Sequence, residues 1–310
     1  MLNLPPNIRR SKLIISGGLL CAVLLSMVAS IAYVVGESVS HEGVTQTIDP
    51  FTEMTVEAKS AYVFDVVRGK VLFEKNASTP LPLASITKIA LALVIAPVLE
   101  PSEHITISPT AAARSVDLRG GEVWRADELL DFTLLASSNA GAIALAEAAE
   151  SRVSSLYPHP TGSSIVNRMN DLAHDRGLSD THFFNPSGLD EGKTTAGALG
   201  SARDVAELFM YAARTSPELF AVTQQTSVQF IPISGEIRTA MNTNLAVADI
   251  GNVVLGKTGT TPLAGGNLGV IVEPLPGRQV AIVVLGGTES GRFDDIKRLV
   301  KAAETAVSRP

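Results

Sequence analysis

Ser85-Ile-Thr-Lys-Ile-Ala-Leu-Ala-Leu-Val-Ile-Ala-Pro-Val98 begins with two polar side chains one turn apart and then runs apolar on every side. Ser85 and Lys88 stand at i and i+3, so a helix brings the hydroxyl and the amine onto one face. A helix that is apolar all round is buried inside a sizeable domain, and Pro97 ends it. The stretch therefore predicts a core helix with a serine and a lysine at its mouth. Alone, S-x-x-K arises by chance about once in 300 residues, so its meaning depends on what surrounds it.

Upstream, Ala61-Tyr-Val-Phe-Asp65 and Lys70-Val-Leu-Phe-Glu74 are short β-rich runs joined by a turn containing Gly69, a hairpin signal. Downstream come a strand-like piece at His104–Ser108 and helices over Ala126–Leu135 and Ala140–Ala149. An amphipathic helix around Ile165, Met169 and Leu172 follows, and then another behind the capping box Ser201-Ala-Arg-Asp204. The last third turns to strands, at 227–233, 236–240, 252–257, 267–272 and 279–285, before a closing helix over 292–306. Strands at both ends with helices between predict an α+β domain. Its sheet joins the two ends of that domain and carries the helical middle on it.

Two further polar signals interrupt this apolar frame. Ser137-Ser138-Asn139 sits between two helices, where Ser and Asn also serve as ordinary caps. Lys257-Thr258-Gly259-Thr260 lies on a strand, and K-T-G is expected in roughly one chain in twenty of this size. The three motifs, in this order, resemble the signature set of penicillin-binding proteins and serine β-lactamases.

The chemistry asks for these residue types. A serine hydroxyl is a feeble nucleophile until a base takes its proton, and the neutral amine of Lys88 is the candidate base for Ser85. An ordinary lysine titrates near 10.4, so reaching about 7 to 8 requires about 4 kcal/mol of preference for the neutral form. Burial, the helix N-terminus and the second cation Lys257 all push that way. Lys257 would also attract an anionic substrate, Ser137 would relay a proton to the leaving amine, and Asn139 would hold the substrate amide. Gly259 would let an extended peptide lie close along the strand. Thr258 and Thr260 would offer hydroxyls to a terminal carboxylate. The N–H groups of Ser85 and Thr260 would form the oxyanion hole.

Beyond the motifs, Leu83–Lys88, Leu134–Asn139, Thr181-His-Phe-Phe-Asn-Pro-Ser-Gly-Leu189 and Asn242-Thr-Asn244 resemble the low-molecular-mass D-alanyl-D-alanine carboxypeptidases, over almost all of residues 60–305. The resemblance implies the transpeptidase/β-lactamase-like fold, with a five-stranded antiparallel sheet flanked by helices. It implies acylation of Ser85 by a peptidoglycan stem peptide ending in D-Ala-D-Ala, loss of the terminal D-alanine, hydrolysis of the acyl-enzyme and inhibition by β-lactams. Three departures stand out. Ser138 replaces the usual glycine, with Ala140 where an acid is common. Thr260 follows K-T-G where many carboxypeptidases carry another residue, so a D,D-endopeptidase or transpeptidase balance stays open. A single catalytic domain is also expected, where members of the family often add a β-rich domain. A β-lactamase would need an added glutamate in an E-x-x-L-N context, which is missing after Asn139. A non-catalytic binder of peptidoglycan or β-lactam would have little use for intact Ser85, Lys88 and Lys257.

Composition is compatible with this reading. The 310 residues are 45% hydrophobic with a formal net charge of −6. Arg9, Arg10 and Lys12 are the only charges before Glu37, so without their +3 the remainder carries −9, which does not invite nucleic acid. The single cysteine, Cys21, excludes an internal disulfide. No His/Cys cluster has metal-ligand spacing, and neither metal nor cofactor is expected. Leu13–Val35 is uncharged and long enough for a helix of roughly 34 Å, against a hydrocarbon core of about 30 Å. The basic cluster before it should stay cytoplasmic. The expected layout is a membrane anchor over 1–36, a tether over 37–59 and an extracytoplasmic catalytic domain over 60–310. Cleavage as a signal peptide is the rival, although the apolar run is longer than a usual signal core.

Overall fold

A computed structural model of the chain describes residues 49–309; the expected membrane-spanning stretch Leu13–Val35 lies outside them. Among the described residues no helix is long and apolar enough to cross a membrane. Strands β1 (Ser60–Asp65) and β2 (Lys70–Lys75) form the expected hairpin, with Gly69 at φ +63° in its turn. They join β3 (Val253–Thr261), β4 (Gly265–Leu275) and β5 (Arg278–Gly287) in one antiparallel sheet of order β3-β4-β5-β1-β2. The chain's late strands thus lie beside its early ones, and β3, with Lys257–Thr260, forms a sheet edge.

Both sheet faces are covered, and this decides the residue pattern of its strands. In β5, Val280, Ile282 and Val284 point into one apolar cluster and Ala281, Val283 and Leu285 into another, following the period of two. A strand buried on both faces reads as an unbroken apolar run, as Val280–Leu285 does. The second cluster is shared with α1 (Lys88–Ile95), α2 (Ala126–Leu135), α3 (Asn139–Leu156), α4 (Ser164–Asp175) and α5 (Ala202–Thr215). The first cluster is closed by α6 (Gly291–Val307), through Ile296, Leu299, Val300 and Ala303. Ser227–Phe230 and Arg238–Met241 pair only with each other, as a ribbon outside the main sheet.

Helix α1 is as apolar as expected, with Ile89, Ala90, Leu91, Ala92, Val94 and Ile95 all buried. Full burial of each large aliphatic side chain is worth about 1.5–3 kcal/mol, so the helix is held as part of the core. Its entry differs from the simple α-helix read from sequence. Ala84 sits at φ +50°, and Ala84–Thr87 form a 3-10 turn before the α-helix starts at Lys88. Side chains at i and i+3 eclipse in that tighter turn, which sets Ser85 directly over Lys88.

Residues 49–59, read from sequence as the end of a tether, are packed instead. Phe51 stacks on Phe73 with centroids 5.7 Å apart, and Val56 and Ala58 are buried in the cluster under α6. The two carboxylate oxygens of Asp295 accept hydrogen bonds from Glu57 N at 3.0 Å and Ala58 N at 2.8 Å. Three small anchors and a carboxylate far along the chain leave no periodic trace, which is why composition suggested a linker. Asp295→Ala strands two amides, so denaturant unfolding should show a loss of about 3 kcal/mol. Proteolysis should then nick the chain between Phe51 and Lys59 first.

Candidate active site

Four separate segments bring their polar side chains to one place against the edge of the sheet. The turn before α1 supplies Ser85 and α1 itself Lys88; the α2–α3 junction supplies Ser137 and Asn139; β3 supplies Lys257 to Thr260; and the loop 185–191 contributes a carbonyl. Two of these segments are backbone outliers. Ala84, directly before the serine, and Ser137 both hold positive φ, +50° and +60°. Non-glycine residues in that region cost on the order of 1–3 kcal/mol each and persist only where surrounding packing imposes them.

Lys88 is almost solvent-free, at 1% exposure. Its Nζ lies 2.7 Å from Ser85 Oγ, 2.7 Å from Asn139 Oδ1 and 3.0 Å from the carbonyl oxygen of Ser187. The last two can only accept. A neutral amine has two N–H groups and one lone pair, so it satisfies both acceptors and directs the lone pair at the serine O–H. Burial pushes Lys88 down to about 7, opposed by the charge of Asp117. Burial is thus the largest cause at Lys88. Burial, then the charges of Lys88 and Arg292, push Lys257 well below its usual range, and the repulsion between the two lysines disfavours charge on both.

Lys257 Nζ donates to Ser137 Oγ at 2.7 Å and to its neighbour's carbonyl, Thr258 O, at 3.0 Å. The middle residue of the Ser137-Ser138-Asn139 break turns away: Ser138 Oγ accepts from Gly141 N at 2.9 Å and caps α3. The capping role and the clustering of polar groups are thus divided among neighbours. Among the described residues Asn139 Nδ2 makes no hydrogen bond, so it remains available once Oδ1 has taken Lys88.

Thr258 Oγ1 donates to Thr243 Oγ1 at 2.7 Å. Thr260 is exposed, and its hydroxyl accepts a close hydrogen bond from Arg292 Nη1, which also reaches Gly259 O at 3.0 Å. The structure gives Gly259 a further reason beside the one read in sequence. A Cβ there would stand 2.5 Å from Leu83 O and 3.2 Å from Ser85 N, so the glycine makes room for the serine turn. The same closeness brings the Ser85 amide up to the strand that carries Thr260.

Sequence reasoning missed three contributors. Arg292, 8% exposed in the first turn of α6, looked like an ordinary polar residue beside an amphipathic stripe. Ser187 acts on Lys88 through its carbonyl, which has no side-chain signal. Asn185 builds the turn around it: its Oδ1 accepts from Ser187 N at 3.2 Å, Ser187 Oγ at 3.1 Å and Gly188 N at 2.8 Å. The Asn-Pro-Ser-Gly run could have pointed to it as an Asx turn.

Residues 44–289 match the peptidase S11 family, described as D-alanyl-D-alanine carboxypeptidase. The chain belongs to this family. A D-alanyl-D-alanine endopeptidase of Pseudomonas aeruginosa is 31% identical over 256 residues, covering 79% of this chain and 77% of the relative. A D-alanyl-D-alanine carboxypeptidase of Escherichia coli is 28% identical over 260 residues, 79% of this chain and 61% of the longer relative. Among solved structures, penicillin-binding protein D2 of Listeria monocytogenes in its cefotaxime-bound form superimposes with a TM-score of 0.68 at 25% identity, covering 80% of this chain and 98% of that one. The family assignment and the five-stranded antiparallel sheet agree with the expectation from the motifs.

Proposed function

We propose that the chain is a serine D-alanyl-D-alanine carboxypeptidase that removes the terminal D-alanine of peptidoglycan stem peptides through an acyl-enzyme on Ser85. The observation that carries this reading is the saturated cradle of Lys88, which leaves one lone pair and aims it at the nucleophile. In the first step the proton of Ser85 passes to Lys88 Nζ while Oγ bonds to the carbonyl carbon of the penultimate D-alanine. The resulting oxyanion lies between the N–H groups of Ser85 and Thr260. The C–N bond then breaks as the departing amine takes a proton from Ser137, which regains one from Lys257. A bound terminal carboxylate favours the ammonium form of Lys257 and so supplies that proton. Thr258, Thr260 and Asn139 position the peptide. Once the amine has left, Lys88 gives up the proton it took and Lys257 regains the one it lost, by exchange with solvent, and water then deacylates the ester with Lys88 again as base.

In this reading Leu13–Val35 anchors the chain and the catalytic domain acts outside the cytoplasm, where the peptide and β-lactams are met. A second reading, D,D-endopeptidase, is favoured by the name of the 31% identical relative. Fluorescent penicillin and two substrates separate these readings. A stable adduct lost in Ser85→Ala, with D-alanine released faster from a pentapeptide than from a cross-linked dimer, is the expected result. Faster cleavage of the dimer favours the endopeptidase. Rapid turnover of penicillin, or no adduct, overturns the proposal.

A further inference from the structure

A cavity of about 430 Å³ opens in the helical part of the domain, where the end of α1, the start of α2, the middle of α3 and the 3-10 helix Pro217–Gln224 meet. None of its lining residues belongs to the reactive cluster. Ile95 and Ala96 stand at the opposite end of α1 from Lys88, about 10 Å along the axis. Ala126 and Asp127 open the helix whose far end leads to Ser137. The wall is apolar, with alkyl surface from Ile95, Leu99, Leu130, Leu145 and Leu219. Among the described residues its charged lining is three carboxylates, Asp127, Asp131 and Glu218, and no cation.

The three carboxylates are not equivalent. Asp127 is already engaged: its oxygens accept from Arg125 Nε at 3.0 Å and Nη2 at 2.6 Å, and Oδ1 also from Glu128 N at 2.8 Å. Asp131, half-buried, and Glu218, exposed, make no hydrogen bond or ion pair among the described residues. Burial, then the charges of Asp127 and Glu128, push Asp131 up to about 6. From across the cavity the 3-10 helix adds Glu218, while α1 and α3 present apolar groups. Every charge that lines the space is thus of one sign, so a cation seated there is attracted by all of them and an anion repelled. An apolar wall with an acidic side fits a ligand that has an apolar body and a cationic end, and the volume is that of a small-molecule site.

We propose that this cavity binds a small amphiphilic amine, an alkyl or aryl body bearing one primary ammonium, with Asp131 as the pairing carboxylate and Glu218 beside it. The site is separate from the reaction on Ser85 and does not depend on how that reaction is assigned. Calorimetric titration of the full chain with three probes that share a phenyl body tests it: 2-phenylethylamine, 2-phenylethanol and 3-phenylpropionate. At pH 7.5 the amine should bind about tenfold more tightly than the alcohol, the worth of a hydrogen bond to a charged group, and the carboxylate should bind least. At pH 5, where Asp131 is largely protonated and the amine still charged, that preference should shrink to about twofold. Asp131→Asn should shrink it equally at pH 7.5. Ala96→Leu, which extends alkyl groups into the cavity, should weaken amine and alcohol alike. Equal affinity for amine and alcohol in the wild type would reveal a merely apolar hollow and overturn the proposal, as would tighter binding of the carboxylate or no heat with any probe. A preference for the amine that survives both pH 5 and Asp131→Asn places its binding elsewhere and overturns it too. The pH comparison uses the wild type alone, so it decides the matter even if Asp131→Asn does not fold.

Discussion

Replacing Lys88 by alanine is expected to slow acylation of Ser85 by about 10²–10⁴-fold, the usual worth of a positioned general base. The fold should survive, because the site lies at the mouth of α1 and not in its apolar body. In the wild type the rate of penicillin labelling should climb with pH and level off above about 7, where the amine becomes neutral. In Lys88→Ala that rise should vanish, and a variant that keeps it would move the base elsewhere. The same titration leaves a mark on stability. The folded state holds this proton less tightly than the unfolded chain, so between about 7 and 10.5 the unfolded state binds more protons and stability increases with pH. Below that window the burial penalty is fully present, on the order of 5 kcal/mol. Urea unfolding of the wild type from pH 6.5 to 10 should therefore show a rising component that Lys88→Met lacks.

Gly188→Ala should abolish labelling of Ser85 and weaken the fold together. Gly188 sits at φ +79°, and a Cβ there would stand 1.9 Å from Ala84 O, 2.5 Å from Ala84 C and 2.6 Å from Thr87 Oγ1. The left-handed conformation alone costs an alanine about 1–2 kcal/mol. The clash adds about 1–3 kcal/mol, because backbone and not a flexible side-chain tip stands in the way. The only relief is to push apart the loop that presents Ser187 O and the turn that presents Ser85. Denaturant unfolding should show a loss of about 3 kcal/mol or more, and labelling should be lost even where the variant remains folded. Normal labelling in Gly188→Ala would show that the loop can retreat without disturbing the serine.

The elements that sequence disclosed are those whose side chains repeat a period. The all-round apolar run after Lys88, the alternation through Val280–Leu285 and the stripe of Ile296, Leu299, Val300 and Ala303 each reflect a burial geometry. The serine and lysine pairs were legible because their spacing is local. Contributions made by backbone, or by distant charges, were not. Ser187 acts through a carbonyl, Arg292 through contacts behind the sheet edge, and Asp295 through two amides of a segment that looked like a tether. Gly259 was legible as a residue type, but its closeness to Leu83 O and Ser85 N was not, since sequence cannot say which side of a strand is crowded.

The placement of β1 between β2 and β5 has a kinetic consequence. Ala58 and Asp295, joined by a hydrogen bond, are 237 residues apart, and β1 cannot gain its second neighbour until β5 exists. A topology ruled by such distant pairings folds slowly and exposes unpaired strand edges meanwhile. Ser85 emerges early, yet Lys257 and the glycine that seats the serine turn follow only about 170 residues later. The polar cluster therefore cannot assemble before β3 has been made and paired.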